Sequence, residues 1–255
     1  VTEYAMRLAQ PANLLLLPVL LAQGGLVRRR TPRLPEAEAD TGLVAGSGPV
    51  LRLAVLGDSL AAGVGVAHNS AGLAGQLAAR VAASTGRAVS WRVAARTGAT
   101  ALSTARELTG RLVDPSTRWR PDIVVVSVGI NDLLAYRRVR AWRADLTALL
   151  HAVRSRVGAA VPVLALGIPP LRRFPALPQP LRGVFAVRAG LMDRVLARTC
   201  AGLDVGHVPL PAARISDSTE FFATDRFHPS AVGYRELAAE LTAPVLARVP
   251  AARGA

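Results

Sequence analysis

Apolar residues along this chain fall into two rhythms. Short, unbroken aliphatic runs alternate with longer stretches in which apolar residues return every three or four positions. The first pattern fits strands covered on both faces, and the second fits helices with one buried stripe. Residues 52–56 read as the first strand, ending at Gly57, and an Ala/Leu-rich helix comes next over 71–83. A second strand spans 88–94, and helical spacing runs from Gly98 to Val113. The run opened by Pro121 is the strongest strand, because Ile123, Val124, Val125 and Val126 are too β-branched to prefer a helix. Further helices are predicted over 141–157, 181–201 and 230–249, the last with Ser230 placed to cap it. Strands are predicted from Val161 and Val205.

Strands that alternate with helices imply βαβ units. The predicted fold class is therefore α/β, a three-layer α/β/α sandwich around a five-stranded parallel sheet of flavodoxin-like order. In such sheets ligands bind beyond the carboxyl ends of the strands. The loops after Leu56, Ala94, Val128 and Ile168, and the loop before the last helix, should then share one face. The folded domain is expected over 50–255. Ahead of it, residues 31–49 read as a linker, where Pro, Gly and acids replace periodicity.

Residues 1–30 read as an apolar extension ending in a basic run. Its core, Leu14 to Ala22, falls short of the roughly 20 apolar residues a spanning helix needs. Its basic residues come after the apolar run, where a secretory leader would have them first. Two readings stay open, a helix packed on the domain and a peripheral membrane contact through residues 14–30. A cytoplasmic or membrane-peripheral location is expected over a secreted one.

Charge changes this picture little. The net charge is +14, and every one of the 31 basic residues is arginine. The arginines are scattered except at Arg28–Arg30, which points to coding bias and away from a nucleic-acid partner. The single cysteine, Cys200, cannot form an internal disulfide. His68, His151 and His207 fall outside any ligand spacing, so no metal is expected. The glycines of 63–72 lack the Lys-Ser/Thr ending of a phosphate-binding loop, and no cofactor is expected. A monomer is expected, with weak association as the alternative.

Chemistry enters at Gly57-Asp58-Ser59-Leu60, where a strand end delivers a serine. A serine hydroxyl needs a base to take its proton and a third group to orient that base. Asp225 and His228, three residues apart before the last helix, can supply both. An oxyanion needs preorganised donors. The candidates are the Ser59 N–H, the Gly98 N–H at a helix start, and the Asn131 amide in Gly129-Ile130-Asn131-Asp132. Glycine at 98 would also clear space for close approach. Asp58 reads as a structural acceptor of loop N–H groups, and Asp132 as a support for the Asn131 loop. The loop over 172–182 reads equally as a wall of an acyl pocket and as a plain crossover.

These blocks together resemble the GDSL or SGNH hydrolases, a family with bacterial lysophospholipase-like esterases among its members. Gly57–Leu60 resembles the first block, Gly98 the second, Gly129–Asp132 the third and Asp225–His228 the fifth, over residues 51–249. The resemblance implies a serine esterase or lipase with the triad Ser59, His228 and Asp225 and with Ser59, Gly98 and Asn131 as the oxyanion hole. It implies a small-molecule or lipid ester as substrate. Few aromatics and many small residues suggest short to medium acyl chains. Acyl transfer to a cell-envelope sugar or lipid, deacetylation of such a sugar, and a non-catalytic membrane-surface role are the alternatives.

Overall fold

The computed structural model describes residues 18–27, 29–210 and 220–250. The leucine run at 14–17 lies outside the described residues. Six strands form one sheet in the order β1-β3-β2-β4-β5-β6. They are β1 (Thr41–Val44), β2 (Gly48–Gly57), β3 (Arg87–Ala95), β4 (Ile123–Ser127), β5 (Val163–Leu166) and β6 (Gly206–Val208). The last five are mutually parallel in flavodoxin-like order. The helices are α1 (18–27 and 29–30 of the described residues), α2 (Leu73–Thr85), α3 (Ala101–Ser103), α4 (Ile130–Leu134), α5 (Val139–Val157), α6 (Leu181–Ala201) and α7 (Ala231–Leu246). α2 packs on α7, and α5 packs on α6 and α3.

The sixth strand corrects the sequence reading. Residues 31–49 are not simply a linker, because β1 pairs antiparallel with β3. Its four residues carry no apolar run, and Gly42 lies flat on Trp91, whose ring a Cβ would meet at 2.2 Å. Just before it, Ala37 is buried and donates its N–H to the Ala62 carbonyl at 3.0 Å. Backbone pairing with β3 and the Ala62 turn holds this stretch where hydrophobic periodicity gives no signal.

Continuous aliphatic runs make β2 and β4 the centre of the core. Leu53, Val55, Leu56 and Ile123–Val126 are all buried. On α5, Leu146, Leu149, Leu150 and Val153 form the buried stripe, each contributing about 2 kcal/mol by leaving water. Leu73, Leu77 and Val81 do the same on α2.

Two local departures matter for the site. The helix predicted from Gly98 starts only at Ala101, because Gly98 adopts a φ of +80°. Thr100 and Ser103 then cap each other, and the chain continues as a π turn over Thr104–Leu108 and a 3-10 turn over Thr109–Leu112. The loop after β4 contains the short helix α4. α1 docks through Leu20, which is buried, and through Gln23. The Gln23 Nε2 donates to the Gln179 carbonyl at 2.6 Å, and its Oε1 accepts the Leu181 N–H at 3.1 Å. Among the described residues, no helix is long and apolar enough to cross a membrane.

Candidate active site

β2, β3 and β4 end level, with Gly57 opposite both Ala95 and Ser127. Gly57 has a φ of +146°, and a Cβ there would lie 1.8 Å from the Ser127 carbonyl oxygen. Only glycine lets the two strand ends close this tightly. The next residue completes the clasp. Asp58 N–H donates to that same carbonyl at 3.1 Å, while its Oδ1 accepts the Ser127 hydroxyl at 3.1 Å and the Leu60 N–H at 3.2 Å. Burial pushes the Asp58 carboxyl up to about 6, against the pull of these hydrogen bonds. Ser59 therefore stands on an anchored turn, continued by Ala62 N–H to Asp58 O and Val64 N–H to Ser59 O.

The partners arrive from the other end of the sequence. His228 Nε2 lies 2.9 Å from Ser59 Oγ, and His228 Nδ1 lies 2.6 Å from Asp225 Oδ2. The other carboxylate oxygen, Oδ1, accepts the N–H groups of Phe227 and His228, each at 3.0 Å. Burial pushes the Asp225 carboxyl up, but the hydrogen bond from His228 and the two backbone donors outweigh it and hold the group below its usual range. An ionised carboxylate accepts only. These partners assign the proton to Nδ1, leaving Nε2 to accept from the serine hydroxyl.

This loop is pinned against the turn after the serine. A Cβ on Gly65 would come within 2.2 Å of the Pro229 carbonyl oxygen, and the buried Tyr234 donates its hydroxyl to the Val64 carbonyl at 2.8 Å. Ser230 caps α7 by accepting from Val232 and Gly233.

Gly98 and Asn131 belong to two loops stitched together. Asn131 Nδ2 donates to the Ala99 carbonyl at 3.0 Å, and Asp132 Oδ2 accepts the Ala101 N–H at 3.0 Å. Burial raises the Asp132 carboxyl to about 6. The 98 loop is also tied to β2 by Arg96 N–H to Gly57 O at 3.1 Å. Glycine at 98 is required by its positive φ and not by crowding, since a Cβ there would meet nothing within 4 Å. The N–H groups of Ser59 and Gly98 donate to no protein group among the described residues.

Beside Ser59 and His228 opens a cavity of about 60 Å³, walled by Ile130, Pro169, Phe174, Leu210, Phe221 and Phe227 among others. Phe174 from the 172–182 loop stacks edge-on with Phe222 and Phe227. Four of the chain's five phenylalanines thus gather at the site, although aromatics are few overall. A larger cavity, about 830 Å³, opens between α5 and α6 and touches none of these residues. Sequence reasoning missed Ser127, Gly65 and Tyr234. Their roles are tertiary, and no local pattern marks them.

Strand-end serine, histidine loop and parallel sheet together define an SGNH-type hydrolase. The chain belongs to the GDSL-like lipase/acylhydrolase family, which it matches over residues 55–236. It is similar to a GDSL-like esterase of Mycobacterium tuberculosis, 35% identical over 127 residues. That match covers 48% of this chain and 38% of the mycobacterial protein's length. The lipase/acylhydrolase from Enterococcus faecalis has the same fold, with a TM-score of 0.60 and 24% identity, covering 80% of this chain and 100% of that one. So does AlinE4, an SGNH-hydrolase family esterase, with a TM-score of 0.56 and 22% identity, covering 82% of this chain and 100% of the other.

Proposed function

We propose that the protein hydrolyses carboxylic esters of short to medium acyl chains through an acyl-serine intermediate. The observation that carries this reading is the continuous hydrogen-bond chain from Asp225 through His228 to Ser59 Oγ. In the first half-reaction Ser59 Oγ bonds to the acyl carbon as its proton passes to His228 Nε2. The oxyanion is taken up by the Ser59 and Gly98 N–H groups and the Asn131 amide, donors fixed before the reaction begins. Asp225 stays ionised and stabilises the imidazolium. Collapse breaks the carbon–alkoxy bond, and Nε2 returns the proton to the departing alcohol. Water then repeats the sequence, with His228 taking its proton, and the acid leaves as Ser59 recovers its hydrogen.

The small cavity beside Ser59 supports a short acyl group, with the phenylalanine cluster as its apolar wall. Hydrolysis of p-nitrophenyl esters from acetate to palmitate, by the wild type beside a folded Ser59→Ala variant, tests the reading. Activity should be lost in the variant and should fall as the chain lengthens. Equal rates in the two proteins would end the proposal.

A further inference from the structure

A surface helix in water normally turns a polar face outward. α1 does not. Leu20, Gln23, Gly24 and Val27 face the domain, and the outward positions are Pro18, Val19, Leu21, Ala22, Gly25 and Leu26. None of the six carries a polar side chain. Val19, Leu21 and Leu26 are 45%, 66% and 42% exposed. Over 18–27 the helix is thus apolar on both sides, and among the described residues only the inner side is covered.

The last turn of α1 and the residues that follow it specify the partner. Arg29, Arg30 and Arg33 are exposed and form no ion pair among the described residues. Of the acids that follow, Glu36 accepts the Thr97 N–H, Asp40 pairs with Arg111, and the exposed Glu38 forms no ion pair with these arginines among the described residues. An apolar helix face bordered by free arginines complements an anionic lipid surface, where acyl chains take the apolar side chains and phosphates take the guanidinium groups.

The position of α1 ties this face to the chemistry. Gln23 grips Gln179 and Leu181 at the start of α6. Five residues back along the same loop, Phe174 lines the cavity beside Ser59. That length of chain reaches at most about 18 Å. Ile130 also lines the cavity, and Leu134, one turn along α4, is 39% exposed.

We infer that α1, with the arginines of its last turn and Arg33, forms an interfacial anchor that seats the active-site mouth on an anionic lipid surface. The site thereby draws from a membrane an ester whose acyl group is short and whose alcohol side carries the lipid. The anchor stands on the geometry of α1, while the lipid-ester source rests on the hydrolase reading above.

The test is co-sedimentation of the full chain with vesicles of phosphatidylcholine, with and without phosphatidylglycerol, at low and high salt, beside hydrolysis of soluble p-nitrophenyl acetate. Wild type should sediment with the anionic vesicles and be released by salt. Arg29→Gln, Arg30→Gln and Arg33→Gln together should weaken partition by roughly a hundredfold, about fivefold per arginine. Val19→Ser, Leu21→Ser and Leu26→Ser together should weaken it at least tenfold, while hydrolysis of the soluble ester stays at the wild-type rate in both variants. Binding by the variants equal to wild type would overturn the inference. So would absence of binding by wild type, or a shift from dimer to monomer in the serine variant without vesicle binding, which would assign the face to a second copy of the chain. Vesicle binding without ester hydrolysis would instead leave the anchor standing and remove the hydrolase reading.

Discussion

Replacing Asp225 with Asn tests the tautomer argument directly, because the side chain keeps its shape and loses one acceptor. In the wild type, Oδ1 holds two backbone N–H groups and Oδ2 holds His228 Nδ1. An amide has one oxygen for these two jobs. With that oxygen under Phe227 and His228, the amide nitrogen faces the imidazole and donates to it. Nδ1 must then accept, the ring proton moves to Nε2, and a donor points at Ser59 Oγ. Flipping the amide would instead leave the two backbone N–H groups unpaired, at about 1–3 kcal/mol each, so the first arrangement prevails. The fold survives and the base is lost. Turnover should fall by about 10⁴ at neutral pH, the scale such tautomer errors reach in serine hydrolases. Stopped-flow release of p-nitrophenol from the acetate ester would show no acylation burst, and the circular dichroism spectrum would stay native. The variant should also lose an acid-labile part of its stability. A carboxyl held below its usual range stabilises the fold above the unfolded value, near pH 4, and that contribution disappears as pH falls through the folded value. Retention of more than a tenth of wild-type turnover would refute the account of His228 orientation.

The clasp around Ser59 and its neighbours sets three further outcomes. Asp58→Asn should raise stability at pH 7 by up to about 3 kcal/mol, since a carboxyl raised to about 6 stabilises fully below pH 4 and loses that contribution as pH rises through 6; urea melts across this range should lose their slope in the variant. Gly57→Ala should cost about 3 kcal/mol or more and abolish ester hydrolysis, because the methyl group would drive β2 and β4 apart beneath Ser59; a melting temperature within a few degrees of wild type would contradict it. Asn131→Ala should lower kcat roughly 10²- to 10³-fold with little change in KM, as measured by initial rates on the soluble ester.

Much of this was legible in the chain. The aliphatic runs of β2 and β4 announced a doubly covered parallel sheet, and α6 begins and ends where its periodicity does, at Leu181 and Ala201. The candidate triad could be read because its members occupy strand-end and pre-helix positions in short motifs, and the structure brings Ser59, His228 and Asp225 into one hydrogen-bonded chain. What escaped depends on contacts distant in sequence. β1 is held by its ladder with β3 and by a glycine lying on Trp91, neither of which leaves a hydrophobic pattern. The Gly98 loop looked helical because alanine and leucine dominate it, but one positive φ delays the helix to Ala101. Ser127 closes β4, and only the adjacency of β2 and β4 gives its hydroxyl to Asp58.

The pinning of the histidine loop to the turn after the serine bears on how the protein is made. Ser59 and His228 are separated by 169 residues. The serine leaves the ribosome early, with the whole sheet beyond β2 still to come. Until α7 docks on α2, with Tyr234 reaching Val64 and Pro229 settling over Gly65, the hydroxyl has no base. Under the proposed mechanism a nascent chain is therefore inert toward esters, and reactivity appears only with closure of the last helix.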